Sequence, residues 1–150
     1  MKTITKIMVA IDFSDYSIGA AGYAARLAGD VGAKLLFTNV LNEKEVDMMY
    51  KVAVEASDFS VQKYLDTKIK DRTDRLENLA KDFDADNLEF ETSVRVGIPY
   101  EALMEEIEEK KPDLLIMGTK GRSDLMDMIV GSCAQKMFRR SPIPLLSLRS

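Results

Sequence analysis

Short apolar runs without alternation take turns along the chain with longer stretches in which apolar residues recur every three or four positions. The first run, Lys6-Ile-Met-Val-Ala-Ile-Asp12, has the continuous hydrophobicity of a strand covered on both faces. Asp12 marks its C-terminal end. Ser14 or Asp15 then caps a helix over about 17–30, dense in small residues: Gly19, Ala20, Ala21, Gly22, Ala24, Ala25 and Ala28. Each glycine inside a helix costs roughly 1 kcal/mol of propensity against alanine. Their presence predicts that this helix lies unusually close to the sheet. Gly32 ends it.

Ala33-Lys-Leu-Leu-Phe-Thr-Asn-Val40 reads as the second strand. From 41 to about 57, acids interrupt Met48-Met-Tyr50 and Val52-Ala-Val54. No period survives, which predicts an irregular connection, a plain loop rather than a flap, running into a helix. Over 59–83 the helical period is clear. Leu65, Ile69, Arg72, Leu76, Leu79 and Phe83 form one stripe with charges opposite. The stripe is expected in the core, where Ile69→Ala or Leu76→Ala costs about 2–5 kcal/mol.

Leu88-Glu-Phe-Glu-Thr-Ser-Val-Arg-Val96 alternates, as an edge strand does. Gly97-Ile-Pro99 opens a helix with proline in its first turn. Ala102, Leu103 and Ile107 are expected inward, and Glu105, Glu106, Glu108 and Glu109 on a solvated face. Pro112 ends that helix. Asp113-Leu-Leu-Ile-Met117 is a fourth strand, followed by a glycine loop and a helix over about 131–140. Ser141-Pro-Ile-Pro144 is a stiff connection, and Leu145-Leu-Ser-Leu-Arg149 the last strand. This β-α alternation predicts an α/β fold: a parallel sheet with helices on both faces and right-handed crossovers. Ligands bind such sheets at the carboxyl ends of strands, where the winding reverses. With the first strand beside the fourth, Asp12 and Gly118 meet there.

Composition narrows the chemistry. The 150 residues suit one domain, 1–150, and 46% hydrophobic with 31% charged residues provides both core and solvated surface. A net charge of −4 does not favour non-specific nucleic-acid binding, which needs clustered cations. No run is long enough for a membrane span, and no signal-peptide cleavage pattern follows the first run. A cytoplasmic setting is expected. Cys133 is the single cysteine, which excludes an internal disulfide. At a helix start its thiolate would be stabilised, although a lone cysteine is more often a small buried residue. The nine methionines are read as core filling. Histidine is absent, and with it the usual general base and the commonest metal ligand.

The candidate chemistry concentrates in Gly118-Thr-Lys-Gly121-Arg-Ser-Asp-Leu-Met-Asp-Met-Ile-Val-Gly131-Ser132. Glycine lets backbone approach a ligand closely. A strand that ends in such a loop and feeds a helix N-terminus presents N–H groups to an anion. Gly118 and Gly121 are expected to turn the chain sharply and wrap a phosphate chain. Gly131 and Ser132 would hold terminal phosphates, and Lys120 and Arg122 would add positive charge. Asp12 would orient a ribose hydroxyl or hold Mg²⁺ against the phosphates. There is no G-x-x-x-x-G-K-[ST] P-loop, and no G-x-G-x-x-G follows the first strand.

These residues resemble the universal stress protein family. Its nucleotide-binding members carry G-x₂-G-x₉-G-[ST], matched here by Gly118, Gly121, Gly131 and Ser132 without insertion. Val9-Ala-Ile-Asp12-Phe-Ser14, Thr38-Asn-Val40, Asp113-Leu-Leu-Ile-Met-Gly118 and Pro144-Leu-Leu-Ser-Leu-Arg149 look like its first, second, fourth and last strands. The resemblance covers the whole chain. It implies a three-layer, adenine nucleotide alpha hydrolase-like fold: an open, mostly parallel five-stranded sheet of order 3-2-1-4-5 that binds ATP, with or without Mg²⁺. Asp12 would lie near ribose or phosphate, the backbone of Val40 would meet adenine, and the loop with Ser132 would hold phosphates. The implied contact set is Ala10, Ile11, Asp12, Val40, Met117, Gly118, Thr119, Lys120, Gly121, Arg122, Gly131, Ser132 and Cys133, with no catalytic residue. A homodimer through the last strand, 145–149, and a stress-response or regulatory role are implied too. The rivals are a slow Mg-dependent ATPase working through Asp12, and a dimerisation module without nucleotide. Three positions depart from the family pattern. Ala134 replaces a second hydroxyl, Asn39 replaces a common histidine, and Ser147 interrupts the apolar last strand.

Overall fold

The computed structural model describes residues 3–55, 60–83, 87–119 and 132–149. Its elements in chain order are β1 (Lys6–Ala10), α1 (Asp15–Val31), β2 (Lys34–Asn42), α2 (Glu43–Glu55), α3 (Val61–Asp82), β3 (Phe90–Gly97), α4 (Pro99–Lys110), β4 (Leu114–Gly118), α5 (Ser132–Arg140) and β5 (Leu145–Leu148). The sheet runs β3-β2-β1-β4-β5, and every pairing in it is parallel. This is the expected 3-2-1-4-5 order.

Side chains of a strand point alternately to opposite faces, and each face carries its own core. Ile7, Val9, Leu35, Phe37, Leu114 and Ile116 pack beneath α1 and α3 with Ala20, Ala24, Leu76 and Ala80. Met8, Leu36, Leu115 and Met117 pack on the other face with Leu103 and Ile107 of α4 and Ala134 and Met137 of α5. Three layers result. The inner strands need no polar face, which explains their uninterrupted apolar runs.

Local chemistry sets the helix ends. The Ser14 hydroxyl accepts the Ser17 N–H at 3.2 Å and caps α1. Gly32 closes that helix in the left-handed conformation, φ 74°. Ser60 caps α3 in the same way as Ser14, through the Lys63 N–H.

Four expectations from the sequence need correction. Residues 43–55 form a helix rather than an irregular connection. The Asn42 side-chain oxygen accepts the Lys44 N–H at 3.0 Å, and Glu43 and Glu45 occupy the first turn, where the helix dipole favours acids. The acids that hide the apolar period are therefore the ones that start the helix.

The close packing of α1 comes from alanines. Ala20, Ala21, Ala24, Ala25 and Ala28 are buried, whereas Gly19 and Gly29 are exposed. Gly22 makes room for the Phe83 ring, 3.1 Å from where its Cβ would stand. In α3, Leu76 and Ala80 are buried, but Leu65 and Ile69 are only half-buried and fall outside the core cluster.

Glu106 is wholly buried rather than solvated. Its Oε2 accepts the Ser93 hydroxyl and the Arg95 Nε–H, both at 2.6 Å. Arg95 also meets Glu105 and Glu109. Burial opposes the Arg95 charge, but the Glu106 hydrogen bond and the three carboxylates hold its pKa above the ordinary arginine value.

Candidate functional site

The cleft begins where strands of unequal length part. Up to Ala10↔Thr38, β1 and β2 pair residue by residue. Beyond Thr38, β2 continues against β3 alone, as far as Asn42↔Gly97. On the other flank, β1 pairs with β4 only to Val9↔Ile116. The ends of β1, β2 and β4 thus open a cleft of about 770 Å³ at the carboxyl edge of the sheet. It lies at the switch point of the winding, and its size suits a small molecule.

Ala10, Ile11, Val40 and Met117 form an apolar floor. Asp12 follows on the β1–α1 turn. Its Oδ1 accepts the Ser14 N–H at 3.0 Å and the Ser14 hydroxyl at 2.6 Å. Its own N–H donates to Ser17 Oγ at 3.2 Å. Making this turn puts Phe13 at φ 65°, a conformation that costs a bulky residue energy and persists only where surroundings enforce it. The Arg75 guanidinium sits 3.9 Å from the Phe13 ring centre and that of Arg72 5.9 Å.

Gly118 is the last residue of β4 and lines the cleft. Its missing side chain has a different cause from the expected sharp turn. A Cβ there would collide with Tyr16 in the first turn of α1. Among the described residues, only Gly32 is a glycine with left-handed φ. Thr119 follows and donates its N–H to the Leu148 carbonyl at 2.9 Å. At the far wall, Ser132 and Cys133 open α5; Ser132 is exposed and Cys133 half-buried.

The structure therefore brings together eight of the sequence-selected residues as cleft lining: Ala10, Ile11, Asp12, Val40, Met117, Gly118, Ser132 and Cys133. Thr119 adjoins them in sequence. Lys120, Gly121, Arg122 and Gly131 lie outside the described residues.

Other lining residues were not anticipated. Lys44 and Glu45 enter from the first turn of α2, Arg72 from α3, Tyr100 and Leu103 from α4, and Lys136 from α5. Lys136 Nζ stands 5.8 Å from the Tyr100 ring centre. Two of these had a readable signal: Lys136 falls one helical turn after Ser132, and Arg72 is the charged member of an otherwise apolar stripe. Lys44, Arg72 and Lys136 face Asp12 and Glu45 around the cleft, so its described lining is cationic by one charge. Among the described residues no group of three or more His, Cys, Asp or Glu gathers to hold a metal ion, and no helix is long and apolar enough to cross a membrane.

Comparison with known proteins places this geometry in a wider set. The universal stress protein family model matches residues 3–149. Universal stress protein YxiE of Bacillus subtilis is 28% identical over 145 residues, covering 96% of this chain and 98% of its own. The structure of MJ0577, a universal stress protein of Methanocaldococcus jannaschii, matches with a TM-score of 0.81 at 20% identity, over 98% of this chain and 96% of that one. A universal stress protein solved in complex with cAMP matches with a TM-score of 0.66 at 24% identity, over 99% of this chain and all of that one.

Proposed function

The chain belongs to the universal stress protein family, and from that premise we propose that it is a single-domain, ATP-binding regulatory protein holding the nucleotide in the cleft between β1, β2 and β4. The observation that carries this reading is the uncovered backbone edge of Val40 beside Asp12 at the switch point. Val40 offers one N–H and one C=O, the complement of the N1 acceptor and amino donor of adenine. The Asp12 carboxylate accepts from a ribose hydroxyl. Ser132 and the first N–H groups of α5 take phosphate oxygens, as helix N-termini do, with Lys136 one turn further on. Gly121 and Gly131, with Lys120 and Arg122, complete the phosphate cradle.

Mg²⁺ ordinarily binds through one or two carboxylates plus nucleotide phosphates. Asp12 and Glu45 both line the cleft and are carboxylates that could supply such contacts. A related universal stress protein was solved with cAMP, which supports an adenine nucleotide here. With no histidine in the chain and no P-loop lysine, the cleft favours retention over rapid hydrolysis. ATP held against the segment after β4 would then change the surface offered to a regulatory partner in the cytoplasm. Among the described residues the edge strand β5 has only β4 as a neighbour in the sheet, and a second copy pairs along 145–149 to make a homodimer, since bare strand edges invite pairing.

Thermal shift with Mg-ATP tests the reading. Ligand at 100 times its Kd adds about 2.7 kcal/mol, and each kcal/mol raises the melting temperature of a chain this size by roughly 2–4 °C. An upward shift of several degrees is expected. No shift at millimolar ATP, with no nucleotide carried through purification, overturns it. Slow phosphate release that disappears in Asp12→Ala would instead identify a weak ATPase.

A further inference from the structure

Asn39 is a polar residue at a fully buried strand position, 1% exposed. A buried amide needs partners at both ends, and both are present. Nδ2 donates to the Ile11 carbonyl at 2.7 Å, and Oδ1 accepts from Arg72 Nη1 at 3.1 Å. The first of these bonds replaces a rung of the sheet. The Ile11 N–H donates to the Thr38 carbonyl at 2.8 Å. In an uninterrupted parallel ladder the next rung would run from the Val40 N–H to the Ile11 carbonyl. That carbonyl is bonded to the Asn39 amide instead, and pairing of β1 with β2 stops at Ala10↔Thr38.

We infer that Asn39, oriented by Arg72, is the positioning residue that ends the β1–β2 ladder and leaves the Val40 backbone edge open to a purine base carrying a 6-amino group. This rests on the nucleotide reading above and deepens it. Arg72 matters because an amide can be turned end for end, and a flipped Asn39 would set its oxygen against the Ile11 carbonyl. Guanidinium is donor-only, so it holds Oδ1 and keeps Nδ2 on Ile11. The consequence is base selection. Adenine matches the Val40 pair of donor and acceptor. Hypoxanthine, with N–H and C=O exchanged, opposes it donor to donor. The phosphates are assigned to α5, whereas Asn39 is uncharged and spends its amide on Ile11 and Arg72, so their affinity is expected not to depend on it.

The test is calorimetric titration of ATP, ITP and inorganic tripolyphosphate into wild type, Asn39→Leu, Asn39→His and Arg72→Gln. Wild type is expected to prefer ATP over ITP by about tenfold or more, the worth of a mismatched hydrogen-bond pair. Asn39→Leu loses that preference and about tenfold in ATP affinity, while tripolyphosphate stays within about twofold. Asn39→His, assayed at about pH 8 where its ring is neutral with one donor and one acceptor, restores the preference. Arg72→Gln, which keeps Asn39 but not its donor-only partner, reduces it even if Asn39→Leu fails to fold. An unchanged preference in Asn39→Leu or Arg72→Gln overturns the inference. So does a parallel loss of ATP and tripolyphosphate binding in Asn39→Leu, which marks a merely structural role; Arg72→Gln, which also removes a cleft cation, is read by its ATP-to-ITP ratio alone. Wild type that binds neither ligand overturns the nucleotide reading itself.

Discussion

A Cβ on Gly118 would stand 2.9 Å from the Cβ of Tyr16 and 3.1 Å from its backbone carbonyl. The first turn of α1, which begins three residues after Asp12, rests directly on the end of β4. The obstacle is backbone, which yields far less readily than a side-chain tip. Gly118→Ala should therefore lower stability by about 1–3 kcal/mol through overpacking and displace Asp12. Calorimetry should show a melting temperature lower by roughly 2–4 °C for each kcal/mol lost, together with weaker ATP binding. An unchanged melting temperature would remove the packing account of this glycine.

Ser132→Ala probes the opposite wall. A hydroxyl bonded to a charged phosphate contributes roughly 1.5–3 kcal/mol, so ATP should bind about 10- to 150-fold more weakly. Adenosine, which lacks the phosphates, should bind as before. Equal losses for both ligands in the same titration would place Ser132 away from the phosphates.

The two halves of α3 separate a pair of substitutions that the sequence stripe treats alike. Leu76 is 0% exposed, whereas Ile69 is half-buried. Leu76→Ala should cost about 2–5 kcal/mol in urea denaturation, and Ile69→Ala clearly less. Comparable losses would show that the first half of α3 packs as tightly as the second.

Arg95→Met strands the buried Glu106 carboxylate, which loses its charged partner at 2.6 Å. Removing one member of a buried ion pair typically costs about 3–5 kcal/mol. The double change Arg95→Met, Glu106→Leu should recover most of that, because no charge is then left in the core. Denaturation midpoints decide it: a double variant as unstable as the single one would mean that Arg95 acts by packing instead.

The strands were legible because strands buried on both faces must be apolar throughout, as Ile7 to Val9 and Leu114 to Met117 are. Order was not, since periodicity carries no information about neighbours; it came from the family pattern and the parallel register bears it out. Glu106 misled because glutamate usually faces water, and its burial depends on Ser93 and Arg95 in another element. Asn39 was unreadable for the same reason: its partners Ile11 and Arg72 are 28 and 33 residues away. In the cleft, strand-end residues were visible from the sequence. The side chains arriving from α2 and α4 were not, because no local pattern records which helix leans over which strand end.

The position of β1 between β2 and β4 has a consequence for synthesis. On the ribosome, β2 emerges soon after β1, but Leu114, which pairs with Ile7, arrives only late. Thr5 and Asp113, bonded across the same seam at 2.8 Å, are 108 residues apart. Contacts this remote are slow to form. A nascent chain released before β4 lacks one wall of the cleft, and with it Ser132 and Lys136 of α5. Nucleotide would then select among finished and truncated products, stabilising most the chains translated past α5.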